Sequence, residues 1–581
     1  SFYSSASVDY TTTVPSSSIS QSVTTQSVTQ SYLHNYTWVG ATGSNYTEWS
    51  IISGTAEIAE ENTNNPDNNM SFSQIGNRIH IRGDEIFTNS FRASISEENN
   101  GIVIYKSSSS GYFLSDYINI PTASYTSQTV AKLANEFSVD GNHLIVPIEK
   151  YYTDTPSGEL QIYYSSSSGW ALSTTLTTAS YNDSAAVPLD EDEELAFWNA
   201  VVKGDLIFAG GFAKKYTSFP ANNHSPDRYV AIFRSSSSGW AYEDQVQVSG
   251  FDGDDEPGNN SETGGRIGNS ALNFAFDGAT GVLGSKHANG SLSSPLVDDG
   301  DDSSGRIHII KSGSSGWYRD ANLGLQGLGL TGSVSSSLTY PTASDGSTYP
   351  DWYTFARFGL TSCAVSGNYI AASARAKAIY AGATGKYHRR RDSVFILKSS
   401  SAGWGIEAQL EDPDPFFEKS GSYGTEGDAN FGIGLNLDTN TLVVSSPTWR
   451  PNRSGDAGLV SGRLYIYHST STGWSLGQTV NNPYSGSIFH DTTYEANEYF
   501  SGPSNPDASG ATHFGSLPTL SGNVMAIPAP EWNRIQDPGG ELTVGGSVAA
   551  SQIYGAIVVL EGTGSFQNRM IDQYNTESVV K

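Results

Sequence analysis

One cysteine, Cys363, stands in 581 residues, so no intrachain disulfide staples the chain and no thiolate cluster can hold a metal. It sits in FGLTSCAVSGN, a strand-like stretch where a free cysteine behaves as a small hydrophobe. Charge is scarce and one-sided, with 15% charged residues, 31 Lys and Arg against 59 Asp and Glu, and a formal net charge of −28. Phosphate neutralisation needs clustered Lys and Arg, so nucleic acid is not an expected partner. No apolar run approaches the roughly 20 residues of a spanning helix and no basic-then-apolar segment is present, so no membrane insertion is expected. The first residue is Ser1 and not Met, as in a processed product. HExxH, CxxC, GxSxG and P-loop patterns are absent, and the 10 His residues show no ligand spacing, which leaves metal-hydrolase and serine-hydrolase chemistry without support.

What the chain has is glycine (61), aromatics (12%) and a repeat. Six times an apolar run enters a serine-rich tip followed by Gly-Trp or Gly-Tyr: IVIYKSSSSGY to Tyr112, LQIYYSSSSGW to Trp170, VAIFRSSSSGW to Trp240, IHIIKSGSSGW to Trp317, VFILKSSSAGW to Trp404 and LYIYHSTSTGW to Trp474. A seventh, degenerate copy, IVVLEGTGSF, ends at Phe566. Upstream of each tip lies a Gly-Asn type turn feeding an apolar strand, as in DGNHLIVP, SGNYIAAS and SGNVMAIP; such turns tolerate the positive φ of a tight hairpin. Each unit reads as strand, tight turn, strand, variable loop, strand, Ser-rich turn, strand. The third strand is apolar on consecutive residues, as in Val394-Phe395-Ile396-Leu397, which demands cover on both faces.

Spacing of 58 to 92 residues between equivalent aromatics is too long and uneven for a solenoid. The chain is therefore expected to be all-β, a seven-bladed β-propeller of four-stranded antiparallel blades, with a flexible Ser/Thr-rich arm over 1–31 and the propeller over 32–581. The tryptophans are expected to pack blade on blade. Residues 36–59, with Trp38 and Trp49, are expected either to open blade one or to close the ring.

The repeat resembles the FG-GAP family, the propeller type of integrin α-chain heads and many microbial and viral surface proteins. The matching residues are Phe431-Gly432 and Phe514-Gly515, with Phe358-Gly359 beside them, the apolar strands ending at Pro447 and Pro530, and the strands Gly462 to Tyr467 and Gly555 to Leu560. Much of that family carries a DxDxDG calcium loop between its first two strands. Here those loops are Ser-Gly-Asn or Asp-Gly-Asn turns with too few oxygen ligands, so no cofactor is expected to be required. Calcium enters only as an adventitious ligand of acidic clusters, with Asp298, Asp299, Asp301 and Asp302 the best candidate metal site.

The connections between second and third strands differ most among units, and variable loops on a rigid ring are where specificity is placed. They supply the candidate ligand-binding residues Tyr151, Tyr152, Tyr216, Phe219, Tyr387, Trp449 and Trp532. The basic cluster Arg389, Arg390, Arg391 stands against an acidic chain. With no catalytic motif, the expectation is a non-enzymatic extracellular module on a virion or cell surface, whose partner is a protein or glycan. Alternatives are a structural decoration protein contacting neighbouring virion or lattice subunits, and a secreted glycan-active enzyme using paired carboxylates.

Overall fold

In four blades a hydroxyl at the start of the tip closes the hairpin by local hydrogen bonds. In the second unit the Ser168 amide donates to Ser166 Oγ at 3.2 Å, and that hydroxyl donates to the Gly169 carbonyl at 3.2 Å. Ser236, Ser400 and Thr470 repeat both bonds. The side chain thus satisfies a tip amide that has no ladder partner. The glycine before each tryptophan then turns the chain at φ between 98° and 112°, which a residue with a Cβ rarely adopts.

The computed structural model describes residues 6–7, 27–28, 48–51, 78–90, 101–108, 111–120, 137–149, 158–177, 193–215, 228–248, 274–285, 305–324, 328, 334–335, 352–356, 358–359, 362–378, 392–413, 431–447, 449, 462–481, 514–529 and 556–563. These form seven antiparallel blades and no helix. Blade one runs Ile79–Arg82, Glu85–Ser90, Gly101–Ser108 and Gly111–Asn119. Blades two to six repeat that meander, their third strands being Gly158–Ser166, Arg228–Ser236, Arg306–Gly313, Ser393–Ser400 and Arg463–Thr470. First strands touch first strands from blade to blade, and Thr519–Ser521 of blade seven comes back against Ile79–Arg82 of blade one. The ring is closed.

Blade seven is completed from the other end of the chain. Its third strand, Ala556–Thr563, pairs not with a following hairpin strand but with Glu48–Ile51. The register sets Thr563 opposite Glu48 and Gly562 opposite Trp49, as blade six sets Thr470 opposite Gly473 and Ser469 opposite Trp474. Trp49 therefore holds the ladder place of the repeat tryptophan, the place the sequence pattern had assigned to Phe566, which lies outside the described residues. Of the two roles open to residues 36–59, the described stretch Glu48–Ile51 takes that of ring closure. Of the N-terminal arm, Ala6–Ser7 pairs with Ser27–Val28.

The core is a set of layers between blades. Phe87, Ile102 and Ile104 of blade one pack with Phe137, Leu144, Val146 and Tyr163 of blade two. Val282, Ile307 and Ile309 of blade four pack with Phe358, Cys363, Ile370 and Phe395 of blade five. Cys363 is buried there, its thiol pushed up in pKa by desolvation, as suits a packing residue. Each fully buried Phe contributes about 1.5–3 kcal/mol, whereas an exposed ion pair such as Lys203–Asp140 contributes about 0–1, so apolar layers dominate.

Each tip tryptophan lies on the preceding blade. Trp170 meets Phe87 edge-on at 5.5 Å under the Arg82 guanidinium, Trp240 meets His143 at 5.1 Å, and Trp474 meets Tyr369 at 5.7 Å. In six blades the third and fourth strands slip register three residues after the tip aromatic, leaving Ser115, Ser173, Glu243, Asp320, Glu407 and Gly477 unpaired in the ladder. Such bulges re-aim side chains. Two of them reach the next blade: the indole N–H of Trp317 donates to Glu243 at 3.1 Å and that of Trp404 to Asp320 at 2.9 Å.

The Phe-Gly pairs lock the opposite ends of the blades. Phe358 and Phe431 stack edge-on against Phe395 and Tyr465 of their own blades, at 5.9 and 5.5 Å. The glycines face the previous blade's third strand: a Cβ on Gly432 would stand 3.0 Å from Val394 Cγ2, one on Gly515 would stand 2.9 Å from Leu464 Cδ2, and one on Gly359 would collide with Ile307. All three have positive φ.

Deleting residues 1–51 should remove the closing ladder, worth about 2–4 kcal/mol at about 1 kcal/mol per hydrogen bond, and speed amide exchange in Ala556–Thr563; unchanged exchange there would refute the closure. Gly359→Ala should cost about 2–4 kcal/mol in a denaturation series. Gly204→Ala should cost about 1 kcal/mol, because Gly204 shares the positive φ but has open space around its Cα.

Candidate functional site

Strand direction sorts the loops. The first serine of each tip donates its amide to the third residue of the same blade's tight turn, as Ser165 does to the Asn142 carbonyl at 2.9 Å and Ser399 to Asn368 at 2.9 Å. Tight turns and Ser-rich tips therefore share one face of the ring. Second-to-third connections and blade-to-blade connections leave the other, the loop face.

The tight-turn face is tied blade to blade. The Gly204 amide donates to Asp140 Oδ2 at 2.7 Å, the Gly367 amide to Asp277 Oδ2 at 2.8 Å and the Thr439 amide to Ser366 Oγ at 3.0 Å, while Arg82 donates to the Gly141 carbonyl at 2.9 Å. Asp140 and Asp277, in the turns where the FG-GAP resemblance would place a calcium loop, each accept one of these amide bonds. Among the described residues no group of three or more His, Cys, Asp or Glu is placed to hold a metal ion.

Among the described residues, blades five and six carry packed polar groups at the loop face. Arg463 opens blade six's third strand with its guanidinium 3.3 Å from the Trp449 ring centroid and its Nε donating to Asn481 Oδ1 at 2.6 Å. In blade five Asp392 and Asp412 are both buried, and the Asp412 amide donates to the Asp392 carbonyl at 3.2 Å. Blade five's second strand, Tyr369–Ala378, also outruns its first, Cys363–Ser366. Its last four residues pair with Trp352–Ala356, and Val334–Ser335 adds a further strand to form a ribbon. The expected loop Arg375 to Asp392 thus begins as strand.

Trp449 is the one candidate ligand residue among those described, and it is 8% exposed beneath Arg463. A sugar platform needs an open ring face, so the position serves packing and the expectation is corrected. Tyr151, Tyr152, Tyr216, Phe219, Tyr387, Arg389, Arg390, Arg391, Trp532 and the Asp298, Asp299, Asp301 and Asp302 cluster lie outside the described residues. The blade-five ribbon escaped sequence reading because its Trp-Tyr-Thr-Phe strand stands outside the repeat unit, although its aromatic content is a strand signal.

Two histidines sit between blades one, two and three. His80 lies against Phe137, at 5.0 Å between ring centroids, and accepts at Nε2 from Arg78 Nε at 3.2 Å. Desolvation, then the charge of Arg78, hold its pKa well below 6.5, against a hydrogen bond to the Phe137 backbone. His143, between Tyr164 and Trp240, is lowered by desolvation against the pull of Asp140. At blade three, Glu243 is held below the usual carboxylate range chiefly by its hydrogen bond from Arg234.

No protein-family model matches the chain, and no curated protein matches it significantly. Solved structures it is similar to include the polysaccharide lyase Uly1 (7% identity, TM-score 0.37, covering 89% of this chain and 99% of that one). The β-propeller domain of Vanderwaltozyma polyspora Nup133 is another (9%, 0.33, 83% and 99%), as is Kuenenia stuttgartiensis hydrazine synthase (11%, 0.34, 69% and 79%). At TM-scores this low the likeness carries no argument about this chain, and its seven blades rest on the strand ladders.

Both histidine pKa values are depressed on folding, so the unfolded chain takes up protons first as pH falls. Their contribution is whole above about pH 6.5 and shrinks below it, before Glu243 begins to titrate. Melting temperature should drop between about pH 6.5 and pH 5, and His80→Gln should flatten that drop; an identical slope in the variant would show His80 plays no part.

Proposed function

We propose that this chain is a non-enzymatic recognition or attachment module, displayed extracellularly on a virion or microbial cell, that meets its protein or glycan partner through the loop face. One observation carries the reading: strand direction sends the second-to-third and blade-to-blade connections to a single face, while on the opposite face the described turns are short and four of the blade interfaces are tied there by hydrogen bonds. A surface so locked has little scope for adapting to a ligand, and seven unequal connections on a rigid ring have much. The FG-GAP resemblance supports the same reading through its Phe-Gly residues. The reading requires no cofactor, and calcium enters it only adventitiously.

The glycan-active enzyme keeps one observation in its favour, the buried Asp392 and Asp412 at the loop-face end of blade five. Turnover of a polysaccharide by the intact chain, lost in Asp392→Asn or Asp412→Asn, would replace the recognition reading with that one.

An immobilised panel of glycans and surface proteins, probed with the full chain, should retain it selectively. Alanine at Tyr151, Tyr216 or Trp532 should weaken retention about tenfold or more, as truncation of an aromatic contact does. Trp449→Ala should instead lower the melting temperature with affinity unchanged once folded. Failure of every loop variant to alter retention would overturn the loop-face assignment; stoichiometric presence in a particle without any retention would favour decoration.

A further inference from the structure

In three blades the residue entering the tip and the bulge residue of the fourth strand form an ion pair beside the next blade's tryptophan. Arg234 pairs with Glu243 in blade three, Lys311 with Asp320 at 3.1 Å in blade four and Lys398 with Glu407 at 3.1 Å in blade five. Glu243 and Asp320 also take the indole N–H of the tryptophan that follows. Blade one keeps Lys106 and pairs it with Asp84 and Glu85, and in blade six the entering residue, His468, is buried. Blade two replaces both partners at once, with Tyr164 entering the tip and Ser173 at the bulge.

The lost pair leaves a group of uncharged rings at the turn-face end of the interface between blades two and three. Ile145 and Ile162 pack toward blade three, and strand alternation turns His143 and Tyr164 the same way. Tyr164 stands opposite His143 in the ladder, with ring centroids 5.5 Å apart and planes at 57°, and Trp240 meets His143 at 5.1 Å and 83°. Tyr164 is 44% exposed, and His143 and Trp240 are half-buried. Elsewhere a cation lies over the tip tryptophan, Arg82 on Trp170 and Lys311 on Trp404. Among the described residues none covers Trp240, and the Tyr164 hydroxyl, the Trp240 indole N–H and the His143 ring nitrogens make no hydrogen bond and meet solvent. Desolvation keeps His143 uncharged at neutral pH, and the neighbouring Asp140 has both oxygens engaged, by Lys203 and by the Gly204 amide.

We propose that Tyr164, His143 and Trp240 form a binding site for an uncharged saccharide. The site lies on the turn face, so it goes beyond the loop-face reading and does not rest on it. A sugar ring offers an apolar C–H face ringed by hydroxyls, and aromatic side chains with free polar ends match both. An anionic sugar would find the nearest cation, Lys203, already held by Asp140. A protein partner or a second copy needs about 800 Å² of surface per side, of which three part-exposed side chains bordered by the ion pairs of blade three supply a fraction. The Gly204–Asp140 bond ties the turns of blades two and three together, so the rings are in place before a ligand arrives and little ordering is required on binding.

Cellohexaose, a flat chain, and maltohexaose, a curved one, titrated calorimetrically into the full protein, test the site. One of them should bind with Kd on the order of 1 mM, and the affinity should hold from low salt to about 0.5 M NaCl because no charge takes part. Tyr164→Lys gives blade two the residue that Lys106, Lys311 and Lys398 supply elsewhere, so melting temperature should be kept while binding weakens at least about tenfold. Ser173→Glu, which restores the acceptor found by the indoles of Trp317 and Trp404, should engage the Trp240 N–H and weaken binding too. Binding of neither saccharide, loss of binding at high salt, or unchanged affinity in Tyr164→Lys would overturn the proposal. Self-association in sedimentation, abolished by Tyr164→Lys, would also overturn it and assign the rings to a second copy. Should Tyr164→Lys not fold, Ser173→Glu decides in its place, unchanged affinity again counting against the site. If Tyr151→Ala or Trp532→Ala abolishes saccharide binding that Tyr164→Lys leaves intact, the loop-face reading stands and this inference fails.

Discussion

A four-stranded meander whose third strand is apolar on every residue has two faces to cover, and the repeat brings no helix with which to cover them. Each blade must therefore borrow its core from its neighbours, and the last must find the first. Val394, Phe395, Ile396 and Leu397 are all wholly buried because blade four covers one side and blade six the other. Everything else follows from that dependence. The tryptophans, the bulge carboxylates and the Phe-Gly turns are all devices for holding one sheet against the next.

Those devices act at different depths. Near the turn face, the tip indoles cover the previous blade, and those of Trp317 and Trp404 donate to its bulge residues; at the loop face, glycines at positive φ let the backbone press on the preceding third strand. Between them lies the apolar layer, which supplies most of the stabilisation. Pairing Glu48–Ile51 with Ala556–Thr563 makes the seventh interface depend on both ends of the chain. A ring interrupted inside a blade is held by backbone hydrogen bonds across the gap, whereas one interrupted between blades would rely on packing alone.

The same geometry separates scaffold from surface. Turns of two residues leave no length to vary, and at four interfaces a polar atom of one turn is engaged by the neighbouring blade. Connections on the loop face differ in length from blade to blade, and blade five builds a ribbon of its own there.

Much of the fold was legible because it is periodic: the Ser-Gly-Trp tip, the Gly-Asn turn and the unbroken apolar third strand are local signals, each produced by the chemistry of a few adjacent residues. The site was less legible. That Trp449 is capped by Arg463 depends on two residues thirteen apart meeting across a loop, and that Lys377 faces Thr354 depends on a strand from outside the repeat. Sequence by itself determined the blade, its number and its order, since these rest on local turn geometry and on the pattern of apolar residues. Only the tertiary structure decided that Trp49 fills the seventh tryptophan's place, that the turn aspartates bind backbone amides, and that all variable loops share one face, because each is a relation between segments far apart in the chain that closure of the ring brings into contact.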